Sequence, residues 1–139
     1  MNEELINKMM NTSLSSTSLT HNRLKYYSKI AETSEDNISR IGLGLSLAIG
    51  SIEFDWKPHS LGLIDAPITV ESGKNIRGKT LFKDEILLFL ALIKLNQEVD
   101  TYDDYRKIFR SHWERGMHLM TEKSNGESDW IDIINLIIK

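Results

Sequence analysis

Both prolines of the chain, Pro58 and Pro67, and four of its eight glycines fall between residues 50 and 79. Proline removes a backbone donor and fixes φ, and glycine is costly inside a regular element, so no long helix or central strand should cross this interval. On either side of it apolar residues recur at helical spacing. The fold class expected is therefore mostly α: a compact helical domain of about four to five helices with a loop or short β-hairpin insertion near residues 50–80. Within the insertion Ile68-Thr69-Val70 and Ile76 have strand-like character, and Ser72-Gly73-Lys74-Asn75 is good turn material. A chain of 139 residues has room for one core.

Thr33-Ser34-Glu35-Asp36 reads as a helix start, a capping hydroxyl followed by acids that favour the positive end of the dipole. The helix should run to about Ile49, with Ile38, Ile41, Leu45 and Ala48 on one face and Leu43, Leu47 and Ile49 widening it, which marks a central helix. Gly42, Gly44 and Ser46 each lower helix propensity and point to close approach by another backbone. Lys83 to Leu95 is apolar on nearly all sides, the pattern of a buried helix. Thr101-Tyr102-Asp103-Asp104 opens another, expected to end near Lys123 before Asn125-Gly126. From Ser128 to Ile138 the sequence is too apolar for a free tail and should dock on this chain or on a partner. Residues 1–20 read as an extension, a loosely held helix in the first ten and then a flexible Ser/Thr-rich link over 11–20. The main helical domain spans 21–123 and a terminal apolar helix 124–139.

The chain has no cysteine, which removes disulfides, thiolate metal sites and cysteine nucleophiles together and fits a reducing compartment. The start, Met1-Asn2-Glu3-Glu4, is acidic with no apolar stretch behind it, so no secretory signal is expected. The longest apolar runs, Ile86–Ile93 and Ile131–Ile138, are far short of the roughly 20 residues that span a bilayer. A cytoplasmic protein is the expectation. No Ser-His-Asp set is apparent, and the carboxylates cluster at helix starts, where capping accounts for them. His112 and His118, six apart on a helix, face different directions, and His21 and His59 lie in expected loops. All four read as surface or boundary residues, so neither catalysis nor a cofactor or metal is expected.

Net charge is −3, so any contact with nucleic acid must come from local patches. Arg23, Lys25 and Lys29, interleaved with Tyr26 and Tyr27 and followed by a helix carrying Arg40, are first candidates for phosphate contact. The bland alternative is a solvated face with the tyrosines in the core. Lys74, Arg77 and Lys79 form a second patch, either a separate contact or the same one completed by another subunit. These residues also lie within Gly73-Lys74-Asn75-Ile76-Arg77-Gly78-Lys79-Thr80, which satisfies the P-loop pattern GxxxxGK[ST]. A P-loop fold needs a parallel sheet and an aspartate ending an apolar strand, and the sequence supplies neither. A glycine-flanked turn with a basic tip is the preferred reading, and a small nucleotide-binding protein is the second.

Three stretches resemble the DndE family, small helical proteins of bacterial DNA phosphorothioation. They are Asn37-Ile38-Ser39-Arg40-Ile41-Gly42-Leu43-Gly44-Leu45-Ser46-Leu47, Thr80-Leu81-Phe82, and His112-Trp113-Glu114-Arg115-Gly116-Met117-His118-Leu119, in the family's order and spacing over about residues 21–120. Where the family has Thr-Pro before the asparagine, this chain has Glu35-Asp36. The resemblance implies a non-catalytic DNA-binding and scaffolding subunit that works with an adenylating sulfur-transfer enzyme and an ATPase as sulfur replaces a non-bridging phosphate oxygen. It further implies binding to double-stranded DNA with a preference for nicked duplex, and assembly as a homotetramer. A pure assembly adaptor without DNA contact is the third reading.

Overall fold

The computed structural model describes residues 3–139. In chain order the elements are α1 (Glu3–Asn11), β1 (Ser13–Ser15), α2 (Ser18–Ala31), α3 (Glu35–Ile49), β2 (Asn75–Arg77), α4 (Gly78–Phe82), α5 (Ile86–Asn96), α6 (Tyr102–Ser124) and α7 (Trp130–Ile137). Single 3-10 turns occupy Gly62–Ile64 and Lys83–Glu85. The architecture is mostly α, with five helices of nine residues or more, two shorter ones and a small antiparallel ribbon among the described residues.

The centre is the crossing of α3 with α6. Gly116 lies so close to the α3 backbone that a Cβ there would sit 1.8 Å from the Gly42 carbonyl oxygen. The close approach expected at Gly42 is thus real, whereas nothing lies within 4 Å of a Cβ built on Gly44. Around this contact pack Ile38, Leu43, Leu47, Ile108, Phe109, Trp113, Met117 and Met120. Trp113 Nε1 donates to Ser39 Oγ at 3.0 Å, so the largest core side chain keeps its polar atom satisfied. Ser34 and Thr101 cap α3 and α6 as expected, accepting from the amides of Asn37 and Asp104. Asn125 ends α6 in the left-handed conformation.

Several expectations are corrected. The Ser/Thr-rich segment 11–20 is no flexible link, because it supplies β1 and the first residues of α2, with Leu14 and Thr12 buried. Ser13, Leu14 and Ser15 pair with Arg77, Ile76 and Asn75, so the ribbon joins distant segments rather than forming a hairpin within 50–80. Ile68-Thr69-Val70 is not a strand: the amides of Thr69 and Val70 bond to Asn22 Oδ1 instead of a ladder partner. The first ten residues hold α1, with Met9 fully buried, while Met1 and Asn2 lie outside the described residues.

The buried helix expected from Lys83 to Leu95 opens instead with the 3-10 turn at Lys83–Glu85, where Lys83 has a φ of 48°, and is helical as α5. α5 buries only Ile86, Leu90 and Ile93. Leu87, Leu88 and Leu95 are 57%, 53% and 81% exposed, because no element among the described residues covers that side. α3 is likewise exposed along Ile41 and Ile49. α7 docks on this chain against α6 through Ile133 and Ile137, leaving Ile131 and Ile138 outside. No described helix is long and apolar enough to cross a membrane.

Candidate nucleic-acid interface

The first turn of α3 carries Glu35 and Asp36, and the basic residues of two distant segments converge on them. Glu35 Oε1 lies 3.4 Å from Lys74 Nζ and 3.4 Å from His21 Nε2, and Oε2 lies 3.9 Å from Lys25 Nζ. Lys74 also reaches Asp36 at 3.8 Å. His21 stands on α2 rather than in a loop, and its Nδ1 donates to the Ser72 carbonyl at 2.8 Å. The two patches therefore meet at Lys25 and Lys74. Beside them opens a cleft of about 440 Å³ lined by Asn22, Lys25, Tyr26, Ser28, Lys29 and Thr69 among others. Lys29 is exposed and makes no ion pair among the described residues.

Arg23 does not belong to this surface. It is fully buried, donating from Nε and Nη2 to the two carboxylate oxygens of Asp65 at 2.9 and 2.8 Å and from Nη2 to the His59 carbonyl. Burial alone would raise the Asp65 pKa, but the hydrogen bonds from Arg23 and from the Leu61 and Ala66 amides outweigh it, and the carboxyl stays below its ordinary value. Arg23 thus fastens the 50–72 loop to α2 and has no surface for a phosphate. Its Nη1 lies 3.2 Å from His118 Nδ1. Guanidinium only donates, so that nitrogen accepts. Burial, then Arg23, hold the His118 pKa below normal.

Arg40 is half-buried, with Nη1 donating to the Thr80 carbonyl at 2.7 Å and Nη2 to Asn37 Oδ1, which leaves it partly committed to structure. Arg77 and Lys79 are exposed on β2 and α4. Arg115 caps the end of α3, donating to the carbonyls of Ser46, Gly50 and Ser51 and to Ser46 Oγ. His112, expected near the surface, is buried, with Nδ1 2.8 Å from Ser46 Oγ. Burial, reinforced by Arg115, lowers its pKa to about 4.

The P-loop-like stretch is accounted for by packing. A Cβ on Gly73 would sit 1.9 Å from the Ser16 carbonyl oxygen and one on Gly78 1.8 Å from that of Met9, so both glycines admit the N-terminal segment. The Lys74 amide donates to Ser16 Oγ and the Gly78 amide to the Thr12 carbonyl. These are groups that a phosphate-binding loop would keep free, and β2 has one antiparallel partner instead of a parallel sheet.

Reading the sequence missed the role of Glu35 as the hub of the cluster and a further set of cations on α6, namely Arg106, Lys107 and Arg110. Their spacing was the available signal, since Arg110 stands four residues from Arg106 and three from Lys107 and so neighbours both on the helix surface. Arg106 Nη2 donates to the Ser13 carbonyl at 3.1 Å, which brings this set against the ribbon. In comparisons with known proteins, no family model, curated protein or solved structure matches the chain.

Proposed function

We propose that the protein is a non-catalytic subunit that binds duplex DNA through its phosphate backbone and scaffolds a larger assembly, the phosphorothioation complex to which the sequence resemblance points. The observation that carries the DNA part is the cleft lined by Lys25 and Lys29 of α2, with Lys74, from a distant segment, meeting Lys25 across Glu35 at its edge. Cations held together on a folded frame are what backbone phosphates require. Glu35 tempers this surface, because a phosphate must compete with its carboxylate for Lys25 and Lys74. The sulfur-transfer and ATPase partners, and assembly into a homotetramer, rest on the resemblance. The exposed apolar residues of α5 supply a face that a second copy would cover.

Duplex binding followed by fluorescence anisotropy across a salt titration tests the reading. Neutralising about three phosphates per subunit, the cleft by itself contributes about −2.7 to the slope of log affinity against log salt. Lys29→Ala should weaken binding, and Glu35→Gln, by removing the competing charge, should strengthen it. Salt-independent binding, or the same direction for both variants, contradicts the proposal.

A further inference from the structure

We infer that the outer face of the β1–β2 ribbon, together with the adjoining edge of α6, is a second binding site for the phosphodiester backbone of nucleic acid, centred on Arg77, Arg106 and Arg110. The inference rests on the DNA-binding reading above but uses none of the residues that carry it.

In the ribbon Leu14 and Ile76 face the core, so Ser13, Ser15, Asn75 and Arg77, alternating with them, lie on the outer side. Arg77 is directly opposite Ser13, and Arg106 donates to the Ser13 carbonyl, so two arginines come together at one residue pair of the ribbon. Arg106, Lys107 and Arg110 line a cleft of about 170 Å³ with Leu14 and Ser15. Arg106 and Arg110 stand one turn apart, about 6 Å along the helix axis, so they present two cations in a row rather than one point charge. Arginine suits this task because its planar fork offers paired donors to two phosphate oxygens.

Charge compensation separates this face from the first. There, Lys25 and Lys74 both sit on Glu35. Here, Arg77, Arg106 and Arg110 have no carboxylate within ion-pair distance among the described residues. Asp103 pairs with Lys107 at 3.1 Å, and Glu114 is turned inward to accept from the Thr17 amide and hydroxyl. Three arginines without acids on a chain of net charge −3 are a local excess that folding does not use, apart from the one hydrogen bond of Arg106. Lys74 precedes β2 and Arg77 ends it, so the two faces join along the ribbon. Lys29, Lys74, Arg77 and Arg110 thereby mark a path longer than a single phosphate contact.

The test compares the intact chain with Arg77→Ala/Arg110→Ala, two positions whose side chains make no hydrogen bond among the described residues, in the same salt titration on a duplex oligonucleotide. The double variant should keep the parent melting temperature, lose roughly tenfold or more in affinity at low salt, and have a salt slope shallower by about 1.8. Arg77→Lys/Arg110→Lys, which keeps the charges, should recover the slope. If the alanine variant binds like the parent while Lys29→Ala is weakened, the ribbon site is wrong and the first site stands. If the lysine variant is as impaired as the alanine one and both melt early, the arginines are structural and the inference falls. A parent chain without salt-dependent binding removes the DNA reading itself, and this inference with it.

Discussion

Ser46 shows how much one hydroxyl decides. Its oxygen accepts from Arg115 Nε at 2.8 Å, so its own proton is directed to His112 Nδ1, also at 2.8 Å. A proton on that nitrogen would have to turn the hydroxyl away, next to a guanidinium and out of reach of water. The folded pKa of about 4 lies below the ordinary 6.5 of an unfolded chain, so the unfolded state takes up a proton first as the pH falls. Stability from this group is complete above about pH 6.5 and lost down to about pH 4, on the order of 3 kcal/mol in all. His118, shifted in the same direction, adds to the slope. Urea unfolding between pH 7 and 4.5 should show the midpoint falling, and His112→Asn, whose carbonyl can still accept from Ser46, should remove the larger part of that fall. An identical pH dependence in both proteins would assign the titration elsewhere. Arg23 carries the opposite lesson. Its residue type argued for phosphate contact, but its partner Asp65 lies 42 positions away, a distance no local pattern spans.

At the scale of elements, the α3–α6 crossing is set by glycines that behave differently. Gly116→Ala would push a methyl group into the Gly42 carbonyl and force the helices apart, an overpacking cost of about 3 kcal/mol or more. Gly44→Ala, in α3 but open to solvent, should stabilise by about 0.5–1 kcal/mol through propensity alone. Thermal melts of the two variants should therefore move in opposite directions, and a shared direction would mean that the crossing is not close-packed as described. The sequence made these helices legible, through the Ser34 and Thr101 caps and the Asn125-Gly126 stop, because capping and periodicity are local. The ribbon was not legible. Ser and Thr around a single Leu14 look like a linker until Ile76, far along the chain, supplies the partner strand. Likewise Lys25 and Lys74 could be chosen by type, but their meeting at Glu35 depends on the α2–α3 turn and the return of the chain before β2. The exposed side of α5 misled for the same reason, since an apolar pattern all round a helix says how much surface wants cover and not whether this chain provides it.

For the whole molecule, the largest groups of acids and of cations lie on different elements, although Lys83 and Lys94 stand among the acids and Glu35 and Asp36 among the cations. The acids Asp84, Glu85, Glu98, Asp100 and Asp103 are exposed on or beside α5 and the start of α6, while the arginine and lysine path follows the ribbon and the α2–α3 cleft. On the proposed reading, a net-negative chain would meet DNA along that path and not through its overall charge. The uncovered apolar residues Leu87, Leu88, Ala91 and Leu95 form a row on α5, and the end of α3, with Ile49 exposed, comes alongside where Gly50 meets Asn96. If a second copy covers this row, as the proposed assembly requires, each added subunit brings its own basic path to the same duplex, and binding strengthens by effective concentration without new contacts. Light scattering over a range of concentrations should then give a mass that is a multiple of 16.0 kDa. Leu88→Glu, at a position already open to solvent, should reduce that mass to a single chain, leave the melting temperature within a few degrees of a concentration-matched parent, and lower duplex affinity together with the salt slope. A parent that is monomeric at every concentration would cancel the oligomer part of the proposal, yet keep the DNA part, because the slope near −2.7 for the cleft counts the phosphates of one subunit alone.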